Sequence, residues 1–237
     1  LPTVGRAIMC DIPVTETRWD GFGQQRYDFN FRPVAQGLKG YLWEFPCVIG
    51  GVPHVNVGIY TAGGTPLSNT DLQRLLAEEV ASCQLSVVSP QPPVPLPKFR
   101  AFPISGYSPK RPLAAPHVVL VGDAAGAEPL MGEGISFALE YGKFAAPAVL
   151  SALHLGRFDF SDYTQNLSHS RLGKKLTRLF WTARLCYGRA WRLCFTVAVR
   201  SPRLQSVGLK WYNGVEGWYE RSGWEAVRTL LSPRPCN

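Results

Sequence analysis

One stretch of the chain, residues 118 to 146, constrains the fold more than any other. It reads VVLVGDAAGAEPLMGEGISFALEYGKFAA. Four β-favouring residues lead into Gly122 and Asp123, a loop of small residues follows, and Gly132 and Gly134 precede an almost wholly apolar helix. The apolar run before Gly122 predicts a central strand buried on both faces, and the apolar sequence after Gly134 predicts a buried helix.

The same stretch indicates a ligand site. A carboxylate at the carboxyl end of a buried strand needs hydrogen-bond donors, which ligand hydroxyls can supply. Small residues on both sides of Asp123 let a ligand approach the backbone closely. Gly132 and Gly134 would place free N–H groups and the positive end of a helix dipole at the same position. A ligand with hydroxyls and a part that becomes anionic would fit, and the alternative is an ordinary strand–helix unit with Asp123 as a cap.

The first part of the chain is predicted to be β-rich. Residues 4 to 60 show partial period-two alternation, and Gly50-Gly51 lies between two strand-like runs as a hairpin turn. Within these runs, the stretch YLWEFP at 41–46 would project three aromatic side chains, Tyr41, Trp43 and Phe45, from one strand face. They form either an aromatic wall around a cavity or ordinary core packing.

The rest of the chain is predicted to be mostly helical. Residues 70–83 predict an amphipathic helix with Thr70 and Gln73 as a capping box. The predicted apolar face of this helix consists of Leu72, Leu75, Leu76 and Val80. The proline-rich residues 90–103 predict an extended connector that ends in a short strand near Phe102.

Two of these stretches carry a family resemblance. LVGDAAGAEPLMGEGISFALEYGK resembles the second flavin-binding motif of flavoproteins of the para-hydroxybenzoate hydroxylase fold, and it is most similar to that of the geranylgeranyl reductase family. YLWEFP is similar to the Tyr-x-Trp-x-Phe-Pro motif that lines the isoprenoid cavity of these reductases. The resemblance covers most of residues 1 to 150. It implies an α/β (mixed α+β) fold, the C-terminal part of a para-hydroxybenzoate hydroxylase-type FAD-binding fold, with an antiparallel substrate sheet and a helical C-terminal region.

The resemblance also implies roles for particular residues, with FAD as the cofactor. Asp123 would hold a ribityl hydroxyl, and the backbone of Gly134, Ile135 and Ser136 would face the flavin ring edge. The other implied cofactor contacts are Gly122, Pro129 and Gly132. The implied substrate contacts are Tyr41, Trp43, Phe45 and Pro46. The loop between Gly126 and Pro129 is one residue shorter than in the family, so neither Ala127 nor Glu128 receives a role.

The implied activity is reduction of a carbon–carbon double bond in an isoprenoid or other long apolar substrate, by hydride transfer from reduced flavin. Halogenases of the same fold carry a related Trp-x-Trp-x-Ile-Pro element, so the alternative is a flavin-dependent monooxygenase or halogenase that acts on a natural-product scaffold. A second alternative is a non-enzymatic fragment without a bound cofactor. No residue is identified as a catalytic acid.

The sequence lacks the Gly-x-Gly-x-x-Gly fingerprint of a dinucleotide-binding βαβ unit, and its first residue is Leu. We therefore expect the N-terminal FAD-domain portion of the same protein to be absent from this chain and to complete its cofactor site. The expected organisation is a β-rich substrate-binding region with one helix (1–105), a flavin-binding strand–turn–helix (106–150) and a basic, aromatic helical region (151–237).

Charge is concentrated in the last of these regions. Residues 151–237 carry 14 Lys and Arg against 5 Asp and Glu, a net of +9, whereas residues 1–150 carry 11 against 12. The basic and aromatic residues around 171–200 could cover the cavity, lie on an anionic membrane, or form a solvated helix face. The sequence has no nucleic-acid-binding motif, so nucleic acid is not an expected partner.

The remaining signals are weaker. The six cysteines form no CxxC pair, which favours free thiols in a cytoplasmic protein, either dissolved or at the periphery of a membrane. Glu133 could be a catalytic acid, but a Glu in the first helical turn more often complements the helix dipole. His54 and His117 each stand alone, so no metal site is expected. Cys47 follows the aromatic motif and is expected to be a buried thiol.

Overall fold

The structure is a computed structural model that describes residues 4–14, 24, 26–87 and 98–212. It is mixed α and β, with a five-stranded antiparallel sheet, a separate two-stranded ribbon and a helical C-terminal part. The sheet strands are β1 (Val4–Pro13), β2 (Asp28–Asn30), β3 (Gly40–Ile49), β4 (Val52–Thr61) and β5 (Arg100–Ser105), in the spatial order β2-β3-β4-β1-β5. Most of the predicted connector at 90–103 lies outside the described residues, and the short strand predicted near Phe102 is β5.

A tight hairpin joins β3 and β4. Ile49 pairs with Val52, so Gly50 and Gly51 alone form the turn. Their φ angles are +57° and +80°, the left-handed values that a two-residue turn of this kind requires at both positions and that glycine adopts without steric cost. The hairpin predicted from the Gly-Gly pair is confirmed.

One face of the sheet packs against helix α1 (Asn69–Val87). The four apolar side chains predicted for this helix, Leu72, Leu75, Leu76 and Val80, are all at most 2% exposed. They contact alternate residues of three strands, including Ile8, Leu42 and Val57. The predicted capping box is wrong by two residues. The Ser68 hydroxyl accepts a hydrogen bond from the N–H of Asp71 at 3.2 Å, and the Asp71 carboxylate accepts one from the N–H of Ser68 at 3.0 Å.

The central strand predicted before Gly122 is also wrong. Only β6 (Ala114–Ala115) and β7 (Val118–Val119) form there, as a two-stranded antiparallel ribbon. Within the described residues the ribbon pairs with no other strand, so Val118 remains 48% exposed and Val121 41% exposed. An apolar run cannot by itself distinguish a central strand from a short ribbon that packs on one side only.

After β7 come the short helix α2 (Gly122–Ala125) and the long helix α3 (Ile135–Leu155). The inner face of α3 packs through Phe137 and Tyr141 against Leu167 and Leu176 of the later helices. Its outer face is not buried, contrary to the prediction: Ile135 is 82%, Leu139 69% and Leu153 61% exposed.

Helices dominate the last part of the chain, as predicted. They are α4 (Tyr163–His169), α5 (Arg171–Cys186), α6 (Trp191–Arg200) and α7 (Pro202–Tyr212). The predicted helical pattern beyond residue 212 lies outside the described residues. In the part of the chain that the structure describes, no helix combines the length and the apolar character needed to cross a bilayer.

Candidate functional site

The first half of the site is an aromatic surface on the sheet face opposite α1. Alternation along β3 places Tyr41, Trp43 and Phe45 on this face, with ring centroids 6.1 Å apart for the first pair and 6.0 Å for the second. Phe29 of β2 lies 5.3 Å from the ring of Tyr41 and 5.2 Å from that of Phe45. We call these four residues, with Phe31 and Tyr60, the aromatic wall.

The ring of Trp43 packs against Gly58 of β4, where the absence of a side chain leaves space for it. A Cβ atom on Gly58, its cross-strand neighbour, would lie 2.1 Å from the indole ring, so only glycine leaves room for the ring. The indole N–H donates to Asn56 Oδ1 at 2.6 Å, and the Asn56 amide donates to Asp11 Oδ1 at 2.7 Å. The buried indole is therefore paired. Pro46 is half-buried and alternates to the opposite face of β3, so the structure does not bring it to the wall.

The second half of the site is the start of α3. Gly134 precedes the first helical residue and has no side chain with which to accept hydrogen bonds from the first turn. Ile135 and Ser136 are exposed, and among the described residues no group accepts a hydrogen bond from their N–H groups. A 21-residue helix thus presents its positive end and free donors at the surface.

Asp123 lies directly beside these donors. A Cβ atom on Gly134 would be 2.7 Å from Asp123 Oδ1, so the carboxylate rests on the backbone where α3 begins. Gly122, just before it, has φ +54° and lies close to Ala138 of α3, where an added Cβ would meet the Ala138 Cβ at 3.3 Å. The side chain of Asp123 is exposed. An exposed acceptor and exposed backbone donors therefore stand together, with no side chain between them.

A loop, residues 126–134, connects this helix start to the aromatic wall. The Tyr41 hydroxyl donates to the carbonyl of Met131 at 2.6 Å. Gly132 has φ +76°, and a Cβ atom there would lie 2.6 Å from the ring of Tyr60. Two stretches far apart in the sequence, YLWEFP and LVGDAAGAEPLMGEGISFALEYGK, are thereby brought into direct contact. Pro129 lies half-buried in the same loop.

Glu128 organises the loop, and the sequence assigned it no role. Its side chain is 3% exposed, and its two carboxylate oxygens accept the N–H groups of Leu130 at 2.5 Å and Met131 at 2.6 Å. The carbonyls of the same two residues accept hydroxyl hydrogen bonds, Leu130 from Tyr187 at 2.6 Å and Met131 from Tyr41. The only sequence signal for this role is an acidic residue two and three positions before the amides that it binds.

Burial dominates the electrostatics of the loop. It raises the pKa of Glu128 to about 7, against the lowering effect of the Met131 and Leu130 amides. Burial also raises the pKa of Tyr60 and of Tyr187. It lowers the pKa of Lys175 on α5, and the ammonium group of this lysine lies 4.5 Å from the ring centroid of Phe137. The loop therefore places a carboxyl group that titrates near neutral pH between the wall and the helix start.

The C-terminal helices cover part of the wall. Tyr187 follows α5, and its ring lies 5.6 Å from Phe195 of α6, which in turn is 5.9 Å from Phe31. Lys39 donates to the carbonyl of Tyr187 at 3.3 Å and lies over the ring of Trp191 at 5.9 Å. The wall is thus enclosed between the sheet, the loop and these helices.

The weaker candidates lie apart from this arrangement or have structural partners. Glu133 accepts a hydrogen bond from the Ser136 hydroxyl within the first turn of α3. His54 bonds the Val52 carbonyl at the hairpin end, and His117 stacks on Phe158. Cys47 is half-buried, and burial raises the pKa of its thiol. Within the described residues, no three His, Cys, Asp or Glu side chains group so as to hold a metal ion.

Comparison of the chain with protein-family models and with curated protein sequences finds no match.

Proposed function

We propose that this chain is part of an FAD-dependent oxidoreductase of the geranylgeranyl reductase family, which reduces carbon–carbon double bonds of an isoprenoid or other long apolar substrate. The observation that carries the proposal is the meeting of two motifs in one loop. The Leu130–Met131 segment is hydrogen-bonded to Tyr41 of the aromatic wall, and the same loop leads into the Gly134 helix start beside Asp123.

The residues at the helix start fit the flavin end of FAD. Asp123 is an exposed acceptor for a ribityl hydroxyl, and the N–H groups of Ile135 and Ser136 are donors for the ring edge. The positive end of α3 favours negative charge at that position. When bound, FAD supplies the hydride chemistry, and the protein supplies binding, orientation and electrostatics.

The aromatic wall fits an apolar substrate. Its side chains form a large nonpolar cluster, in which Tyr41, Trp43 and Tyr60 are at most 8% exposed beneath the covering helices. The one indole N–H at its centre, that of Trp43, is already paired with Asn56. The hydroxyl of Tyr41 donates to the backbone carbonyl of Met131 and thereby holds the loop against the wall. The wall would orient the substrate chain and exclude water from it.

The pyrophosphate end of FAD requires a further unit, because the sequence holds no dinucleotide fingerprint. The outer face of α3 suits such a partner. Its exposed large apolar side chains that share one helix face are Ile135, Leu139, Val149, Leu150 and Leu153. We propose that the N-terminal FAD-domain portion of the same protein packs on this face.

Titration with FAD tests the cofactor assignment. In the protein that includes the dinucleotide-binding portion, Asp123→Ala removes a charged acceptor from ligand hydroxyls. The loss is on the order of 1.5 to 3 kcal/mol, roughly a 10- to 150-fold weaker affinity. Asp123→Asn should keep part of the binding, because its amide oxygen still accepts a hydrogen bond. The 237-residue chain alone should bind FAD weakly.

The matched control is Glu140→Ala, which removes a carboxylate of α3 that is ion-paired with Lys143 and away from the helix start. It should leave FAD affinity unchanged. Thermal melts of the ligand-free variants exclude misfolding as a cause. If Asp123→Ala binds FAD as tightly as the parent protein and melts at a much lower temperature, Asp123 is a structural cap and the flavin assignment fails.

A further inference from the structure

Helices α5 to α7 have an unusual charge composition. Residues 171–212 contain ten Lys and Arg and no Asp or Glu. Their basic and aromatic sequence allowed three structural interpretations: a cover for the cavity, a membrane contact and a solvated helix face. The structure buries the inner faces of α5 and α6 against the core and leaves apolar residues exposed on their outer faces.

The inner faces are the cover. Along α6, Trp191 is 8% exposed and Phe195 contacts both Phe31 of the wall and Tyr187. Along α5, Leu172, Leu176 and Leu179 are at most 6% exposed and pack on the inner side of α3. The apolar residues on these inner faces are therefore buried in the core.

The outer faces are apolar as well, and basic residues accompany them. On α5, Trp181 is 57% and Leu185 70% exposed, one helical turn apart. On α6, Leu193 is 65% and Val197 47% exposed, at the same spacing. Exposed basic side chains on or next to these helices are Lys174, Arg184, Arg189, Arg192 and Arg200. Large apolar side chains next to basic residues, with no acidic residues nearby in the sequence, are typical of helices that lie in the headgroup region of an anionic bilayer.

The outer face of α3 provides an internal contrast. It is equally apolar, but α3 carries one Glu and one Lys at 140 and 143, and these form an ion pair. It lacks the excess positive charge that would attract an anionic surface. The two apolar surfaces therefore differ in the partner that they suit, a protein unit on α3 and an anionic surface on α5 and α6.

We propose that the outer faces of α5 and α6 dock on an anionic lipid surface. In that orientation the same helices have the bilayer on one side and the aromatic wall on the other. The membrane contact stands independently of the flavin site, whereas delivery of an apolar substrate through this cover rests on the proposed function. Apolar insertion provides part of the affinity, and the cations provide the part that depends on lipid charge and on salt.

Sedimentation of the chain with lipid vesicles tests the proposal. Binding should rise from pure phosphatidylcholine vesicles to vesicles that contain phosphatidylserine, and it should weaken with added salt. Lys174→Gln and Arg200→Gln should each lower binding to the anionic vesicles about 5-fold. Leu193→Gln should weaken binding, and it should also reduce the vesicle binding that remains at high salt.

The matched control is Leu139→Gln, the same change at a 69% exposed position on α3. It should bind anionic vesicles like the parent chain. Equal binding to neutral and anionic vesicles would overturn the proposal, and so would equal effects of Leu193→Gln and Leu139→Gln. Tighter binding to a DNA or RNA duplex than to anionic vesicles would assign the basic helices to nucleic acid instead. All of these measurements are independent of FAD. A negative result would therefore not affect the flavin proposal, which is tested by the FAD titration.

Discussion

The loop between Gly126 and Gly134 depends on one carboxyl group. Glu128 accepts the N–H groups of Leu130 and Met131, and two tyrosine hydroxyls donate to the carbonyls of the same residues. Moving this segment would break all four hydrogen bonds and leave the buried carboxyl group of Glu128 without its two amide donors. At the residue scale, Glu128 therefore fixes where the aromatic wall and the helix start meet.

Glu128 should make stability depend on pH, with a definite sign. Its pKa is raised from an ordinary 4.5 to about 7 by burial, so the folded chain holds this proton where the unfolded chain has lost it. The free energy of unfolding should therefore fall as pH rises through this window, by on the order of 3 kcal/mol. Glu128→Gln should remove this part of the pH dependence, as measured by urea unfolding at pH 5 and pH 8.

A second carboxyl group contributes with the same sign. Burial, with smaller contributions from Glu79 and Asp28, raises the pKa of Glu44 to about 7 on the α1 face of the sheet. Glu44→Gln is therefore the matched control, and it should remove a separate share of the pH dependence. If the Glu128→Gln curve runs parallel to that of the parent protein between pH 5 and pH 8, Glu128 is not the titrating group.

At the scale of elements, the wall depends on how β3 and β4 fit together. Strand alternation predicted from sequence that Tyr41, Trp43 and Phe45 share a face, because the side-chain period of a strand is fixed by its backbone. It did not predict the space for the indole ring, which comes from Gly58 on the neighbouring strand. Such a fit depends on register between strands, and one sequence carries no direct signal for register.

Replacing Gly58 tests this fit. In Gly58→Ala the added Cβ would lie 2.1 Å from the Trp43 ring, so the ring must move out of its place against β4. The expected loss of unfolding free energy is about 1 to 3 kcal/mol, from overpacking. Gly142→Ala is the control, because an added Cβ there meets nothing within 4 Å and alanine favours a helix interior by up to about 1 kcal/mol. Urea unfolding measures both, and a Gly58→Ala variant as stable as the parent chain would contradict the described fit.

Local signals predicted other elements well. The Gly50-Gly51 pair fixed the hairpin, and the leucine spacing in 70–83 predicted the buried face of α1. The prediction failed where burial depends on distant partners. The apolar run before Gly122 predicts a central strand and the apolar sequence of α3 predicts a buried helix, yet both remain partly exposed. Apolar composition favours burial but does not identify the partner that would bury the surface.

At the scale of the whole molecule, the sheet, the loop and the helices contribute differently to stability and to the candidate site. The sheet uses its α1 face for stability and its other face for the aromatic wall. Helices α5 and α6 cover the wall, and the loop ties it to the start of α3. The sequence indicated both halves of the candidate site. It could not indicate their contact through Leu130 and Met131, because that contact depends on tertiary structure.

We propose that this site reduces a double bond of an apolar substrate. The most direct measurement is mass spectrometry of a polyprenyl compound after anaerobic incubation with the protein, including its dinucleotide-binding portion, and reduced FAD. We expect a gain of one H₂ for each double bond that is reduced, and we expect Asp123→Ala to lower the yield at limiting FAD. An unchanged substrate under these conditions, together with oxygen consumption and a hydroxylated or halogenated product in air, would contradict the reductase assignment and favour a monooxygenase or halogenase.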